Sequence, residues 1–124
     1  MMRFVVLHHR LPAASARADH YDFMLEMGGV LWTWALAERP DGAAAQSAAR
    51  LADHRLRYLD YEGPLSDGRG EVARYDTGPC ALLRQDAEAI VVELQGARLR
   101  CRVLLTRRDE SSTLWDYRCE PFSA

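Results

Sequence analysis

The sequence predicts an all-β protein, a small antiparallel closed β-barrel of about eight strands with at most one or two short helical turns. Three observations carry that prediction. Short apolar stretches with polar–apolar alternation recur along the 124 residues, Gly, Pro, Asp and Ser cluster between them, and little of the chain repeats with the helical period. A hydrophobic content of 48% is enough for one core, and the length is short for two, so the chain reads as a single domain over residues 1–124.

Taken in order, Arg3 to His9 is β-branched and apolar, and His20 to Met27 alternates. Gly28-Gly29 then marks a turn into Val30 to Glu38, which together is a hairpin signal. Arg39 to Ala49, RPDGAAAQSAA, reads as a surface loop, the alternative being a loop with a helical turn over Ala43 to Arg50. From Leu56 the pattern is extended again. YEGPLSDGRG interrupts it before a short strand, Glu71 to Tyr75, expected to end at Asp76-Thr77-Gly78. Ala89 to Leu94, Leu99 to Thr106 and Thr113 to Cys119 complete the set. In RLRCRVLLT, Leu99, Cys101, Val103 and Leu105 share one face while Arg98, Arg100 and Arg102 share the other. That arginine face reads as a solvated outer side, and less readily as a phosphate-tracking surface.

Composition narrows the function classes. No apolar run approaches the roughly 18 residues that span a bilayer, and the apolar part of MMRFVVLHHR is too short for a secretory signal, so a soluble, cytoplasmic protein without a membrane partner is expected. Cys80, Cys101 and Cys119 cannot all pair within the chain and include no C-x-x-C spacing, so they read as reduced and mostly buried. A net charge of −2 argues against coating nucleic acid non-specifically, yet leaves room for a local basic groove. All sixteen cationic side chains are arginine, which suits bidentate phosphate contacts and is equally explained by a compositional bias.

Histidine is scarce, and its positions are His8, His9, His20 and His54. In HYDFMLE, an extended chain points Tyr21, Phe23 and Leu25 one way, toward a core, and His20, Asp22, Met24 and Glu26 the other, toward a site. A histidine and an aspartate two apart on a strand project side by side, so both can reach one divalent ion. His8 or His9 from a neighbouring strand would complete a His-His-carboxylate set with open positions for water and substrate oxygens. The plainer reading of His20 and Asp22 is a surface histidine hydrogen-bonded to an acid.

Read in order, RFVVLHH from Arg3, HYDFMLEMGGVLWTWAL from His20, RLADHRLRYLDYEG from Arg50, GRGEVARYDTG from Gly68 and ELQGARLRCRVLLTRR from Glu93 resemble the 3′-phosphoesterase domain of bacterial DNA ligase D and its stand-alone relatives. The likeness runs through nearly the whole chain. It implies an eight-stranded barrel with a manganese-dependent activity that heals the 3′ ends of broken DNA, removing a terminal ribonucleoside and then the 3′-phosphate. The partners implied are nucleic acid 3′ ends and a separate ligase or polymerase that uses the healed terminus. By motif position the metal set falls on His9, His20 and Asp22, with His9 rather than His8 at the family's spacing. His54 and Tyr58 match residues that contact the scissile phosphate, and Arg50, the equivalent of a family arginine upstream of the EDH glutamate, is expected to act with them as the phosphate clamp. Two departures touch the site: Met24 replaces the arginine of the family's HYDFR motif, and Ala52 replaces the glutamate of its EDH motif.

Three functional readings follow. The first is a divalent-metal-dependent hydrolase, a phosphodiesterase and phosphomonoesterase acting on DNA or RNA 3′ termini. The second is a relative that binds metal and a phosphate or DNA end without turnover. The third is a non-haem iron enzyme using His20, Asp22 and His54 as its triad.

Overall fold

The first two alternating stretches become a strand pair in the computed structural model, which describes residues 2–42 and 44–122. β1 (Arg3–Arg10) runs antiparallel to β2 (His20–Met27), with Phe4 opposite Leu25 and His9 opposite His20. The Gly28-Gly29 turn leads, as expected, into β3 (Val30–Leu36). β4 (Gln46–His54), β5 (Gly63–Pro64), β6 (Glu71–Gln85), β7 (Ala89–Gln95), β8 (Arg100–Arg107) and β9 (Leu114–Pro121) follow. The sheet order is β1-β2-β3-β4-β9-β8-β7-β6-β5, all pairs antiparallel, and β1 also pairs with β6. Eight strands therefore close into a ring, with the two-residue β5 appended to β6.

Alternation divides the apolar residues between two faces. Phe4, Val6, Phe23, Leu25, Trp34 and Tyr117 belong to one cluster that draws on β1–β4 and β6–β9 and fills the ring. Val5, Leu7, Met24, Leu31, Leu59 and Val72 form a second cluster on the other side of β1, β2 and β3. Both faces of the β1–β2 pair are thus buried. The arginine face of β8 is wet as expected, Arg100 and Arg102 being exposed and Arg102 paired with Glu93 at 3.0 Å.

Three local expectations are corrected. Gln46 to Ala49 is strand and not loop: it pairs with β9, its Ala48 is fully buried in the interior, and the Gln46 side chain donates to the Glu38 carbonyl while accepting from the Glu38 amide. Ala48 stands opposite Trp115, whose ring meets that of Trp34 edge-on at 5.5 Å. Ala43, where the helical alternative began, lies outside the described residues. Leu56–Leu59 is a 3-10 turn and not extended chain, because Leu59 is drawn under into the second cluster. β6 does not stop at Asp76-Thr77-Gly78 but continues to Gln85.

Asp76 explains that continuity. Its carboxylate, 5% exposed, accepts from the amides of Thr77 (2.9 Å), Ala97 (3.0 Å), Arg98 (3.0 Å) and Leu99 (2.7 Å). The residue read as a turn former is therefore a clamp from mid-β6 onto the β7–β8 turn. Gly96 lets that turn approach, since a Cβ there would lie 2.2 Å from Asp76 Oδ2 and 2.7 Å from Phe4. Asp76→Ala strands several buried amides at about 1–3 kcal/mol each before relaxation, so a loss of about 3 kcal/mol or more is expected in urea unfolding. A midpoint unchanged from the unmodified protein would show that water replaces the clamp.

Candidate metal centre

The register of β1 on β2 builds the centre. His9 and His20 face each other across the ladder, and Asp22, two residues beyond His20, shares their side. All three are buried, at 9%, 8% and 4% exposure, on the face of the second apolar cluster. The group lies on the outer side of the ring, under the segment that follows β4, and not within the ring.

The hydrogen bonds define which nitrogen of each histidine is available. His9 Nε2 lies 2.8 Å from the Arg69 carbonyl and His20 Nδ1 lies 3.1 Å from the Ala18 carbonyl. A carbonyl has no proton to give, so each of these nitrogens is the donor. The remaining nitrogens, His9 Nδ1 and His20 Nε2, lie 3.6 Å and 3.2 Å from the two carboxylate oxygens of Asp22. Asp22 Oδ1 is buried without a hydrogen-bond partner of good geometry. One ligand atom from each of the three residues lies within 4.8 Å of the others.

This arrangement fits a divalent cation. Remote nitrogens tied to backbone carbonyls orient metal-ligating histidines and fix their tautomer, and the unpartnered carboxylate oxygen supplies the hard anionic donor. Without a cation, the proton is the substitute. The Asp22 carboxylate holds His20 above its ordinary range, against burial, which lowers it. Burial pushes Asp22 up, but His20 and His9 together outweigh it and leave the carboxyl below its usual value.

The Arg69 carbonyl reaches His9 because of the glycine that follows it. Gly70 has φ +88°, and a Cβ there would lie 2.0 Å from the Arg10 carbonyl oxygen. Asp67 and Gly68 also have positive φ, so the turn before β6 is wound in a way that few side chains allow.

Beyond the three residues a cavity of about 470 Å3 opens, lined in part by Arg17, Met24, Ala52, His54, Tyr58 and Arg69. His54 ends β4 opposite Leu31, and Tyr58 rides on the 3-10 turn anchored by Leu59. His54 Nδ1 donates to the Ala52 carbonyl at 2.8 Å, leaving Nε2 free of that bond, and its ring meets Tyr58 edge-on at 5.9 Å. His54 and Tyr58 thus flank the same cleft as the buried group.

Arg50 does not. It pairs with Trp34 across the ladder and shares its inward face, with its guanidinium carbon 4.8 Å from the Trp34 ring centroid and 5.0 Å from that of Trp32, and it donates to Asp53 at 2.9 Å. Arg50 sits in the regular register of β4 on β3, whereas an extra residue in β4 between Leu51 and His54 turns His54 to the cleft side, and nothing in the local pattern announces that bulge. Met24 is fully buried between Asp22 and the apolar cluster. The arginines that line the cavity are Arg17 and Arg69. Arg69 was not singled out from the sequence, although its place between two glycines was a signal. The triad of His20, Asp22 and His54 is not formed, since the three-residue group among the described residues contains His9 instead.

A closed antiparallel ring with a buried His-His-Asp group under a basic and aromatic cleft defines a class of small β-barrel with a site suited to a cation and an anion together. Sequence comparison places the chain within one family. Residues 12–107 match the model of the DNA ligase D 3′-phosphoesterase domain, and the chain belongs to that family. The match begins after His9 and takes in His20, Asp22, His54 and Tyr58. The chain is 34% identical over 95 residues, 73% of its length, to the multifunctional non-homologous end joining protein LigD of Pseudomonas aeruginosa. It is also 34% identical over 113 residues, 84% of its length, to the multifunctional non-homologous end joining DNA repair protein LigD of Mycobacterium tuberculosis. It spans 11% and 14% of those two relatives. Among the described residues, no helix is long and apolar enough to cross a membrane.

Gly70→Ala is expected to cost at least about 1–2 kcal/mol, from positive φ and from the contact with Arg10. It should also broaden the His9 ring resonances in an NMR spectrum by freeing the ring from the Arg69 carbonyl. A variant with unchanged stability and an unchanged His9 signal would remove the glycine from the account of the site.

Proposed function

We propose that this domain, residues 1–124, is a 3′-end-healing phosphoesterase that uses a divalent metal, manganese by preference, to act on DNA or RNA termini carrying a 3′-phosphate or a 3′-ribonucleoside. The observation that carries the reading is the pair of histidines whose remote nitrogens are held by backbone carbonyls while their other nitrogens converge on Asp22. Family membership supports the phosphoesterase chemistry. A separate ligase or polymerase would use the healed end, and a cytoplasmic location is the setting that suits such work.

His9 Nδ1, His20 Nε2 and an Asp22 oxygen would hold the ion. When bound, it supplies Lewis acidity toward a phosphate oxygen and lowers the pKa of a coordinated water. The protein's own side chains contribute the remainder. His54, with Nδ1 held by the Ala52 carbonyl, presents Nε2 to the cleft, where its protonated form can give a proton to the leaving oxygen. The Tyr58 hydroxyl can donate to a phosphate oxygen in the same cleft. Arg17 stands on the cavity wall without an ion pair among the described residues, and it is the guanidinium placed to balance the phosphate charge.

Manganese at about 100 times its Kd should stabilise the protein by about 2.7 kcal/mol. Asp22→Ala should abolish the accompanying rise in Tm. His54→Ala should keep that rise yet slow manganese-dependent release of phosphate from a 3′-phosphorylated oligonucleotide by about a hundredfold or more. Loss of the thermal response in His54→Ala would move His54 among the ligands. No phosphate release by the unmodified protein, despite a manganese response, would overturn the enzymatic reading.

Met24 favours the second reading, a metal- and DNA-end-binding relative without turnover, because a fully buried thioether stands where the family carries an arginine. Met24→Arg is expected to raise turnover and to lower Tm, since the guanidinium must leave an apolar cluster to reach the cleft. If only the arginine variant turns over, the binding reading describes the natural chain.

A further inference from the structure

The cleft does not end at His54. A second depression of about 580 Å3 adjoins the metal-side cavity, and the two share His54, Tyr58, Leu65 and Arg69. Its further walls carry Arg55, Arg57 and Tyr61. None of Arg55, Arg57 and Arg69 has an ion pair among the described residues, and Arg69 is held instead by the Ser66 carbonyl and hydroxyl at 3.0 and 2.9 Å. Asp53, which also lines the depression, is paired with Arg50 at 2.9 Å, and Asp60 and Glu62 are paired with Arg3 at 3.2 Å and Arg74 at 3.6 Å, while Asp67 in the turn has no ion pair among the described residues. In a chain of net charge −2, this groove concentrates uncompensated positive charge.

Aromatic rings run along the same path. His54 meets Tyr58 at 5.9 Å and Tyr58 meets Tyr61 at 5.9 Å, so three rings lead outward from the buried group. Arg57 lies over both tyrosines, its guanidinium carbon 5.6 Å from the Tyr58 centroid and 4.9 Å from the Tyr61 centroid. The Tyr61 hydroxyl donates to the Pro64 carbonyl, which holds that ring in place. A free anion would need only the arginines. Flat surfaces interleaved with unpaired guanidinium groups suit a polymer that offers bases and phosphates in alternation.

We propose that this groove is a subsite for a single nucleic-acid strand, holding the nucleotides immediately 5′ of the reacting terminus. Bases stack on Tyr61 and the Arg57 plane, while Arg55 and Arg69 take backbone phosphates. Its direction along the strand rests on the 3′-phosphoesterase reading, because the terminal phosphate must lie at the His9, His20 and Asp22 end.

Two measurements separate this subsite from the chemistry. The first is fluorescence anisotropy in excess chelator with a labelled 3′-hydroxyl single strand of about ten nucleotides, where no turnover is possible. Arg57→Ala and Tyr61→Leu should each weaken binding by about tenfold, and Arg57→Ala should also flatten the salt dependence. Inorganic polyphosphate should compete poorly; equal competition, or binding unchanged in both variants, overturns the subsite. Arg57 is exposed, so its variant keeps the test decisive should Tyr61→Leu lower Tm. The second is the KM for manganese-dependent phosphate release from 3′-phosphorylated substrates of increasing length. In the unmodified protein KM should fall as nucleotides are added on the 5′ side, and in Arg57→Ala that fall should disappear. Turnover with a KM independent of length overturns the subsite and leaves the phosphoesterase reading standing. Strand binding that depends on Arg57 and Tyr61 without hydrolysis at any length supports the subsite and overturns the enzyme.

Discussion

The pairing register of β1 against β2 is the constraint on which the rest depends. His9 opposite His20 sets two imidazoles on one side of the ladder with Asp22 beside them, while Phe4, Val6, Phe23 and Leu25 turn to the interior of the ring. A slip of one residue would carry every side chain to the opposite face. A slip of β1 would expel Phe4 and Val6 from the ring interior and turn His9 into it, away from His20. Because both faces of this pair are buried, the apolar clusters hold the polar group in register from two sides.

The centre lies on the outer face of a barrel and is nonetheless buried. The segment between β4 and β6 provides the cover: Leu59 anchors the 3-10 turn against Val5, Leu7 and Met24, and the glycine-flanked Arg69 brings its carbonyl down onto His9. The same segment therefore supplies a lid, a hydrogen-bond acceptor for a histidine, and the cleft side chain Tyr58. Strands give positional precision and the covering segment gives polar variety, a division common where rigid elements present a site and loops complete it.

Cationic groups reach the cleft from outside the strands that hold the buried group. Position 24 carries an apolar thioether that extends the cluster of Val5, Leu7 and Val72, and Arg50 is committed to Trp32, Trp34 and Asp53. Positive charge enters the cleft from Arg17 and from Arg69, which lie on connecting segments and not on the strands that hold the buried group. A guanidinium on a long side chain reaches the same cavity from several starting points, so its origin along the chain is loosely constrained. Two imidazoles and a carboxylate within 4.8 Å of one another have no such latitude.

Period-two patterns with a single dry face were legible without coordinates. Phe23 and Leu25 read as core, His20 and Asp22 as neighbours on one side, and the stretch from Arg98 to Arg102 as a wet surface, because alternation on a strand is a local property. What local pattern could not reveal was set by contacts distant along the chain. Gln46 to Ala49 is a strand only because β9 lies beside it, Asp76 continues β6 because the donors to its carboxylate are amides at residues 97 to 99, and Leu56–Leu59 curls because Leu59 joins the cluster of Leu7 and Met24. His54 and Arg50, four residues apart on β4, face opposite sides because a bulge between Leu51 and His54 shifts the register. The sequence by itself determined the strand class, the pairing of a histidine with an aspartate and the family. Tertiary structure decided that the site face lies outside the ring, what covers it and which arginines reach it, since these depend on long-range register and burial that no local spacing encodes.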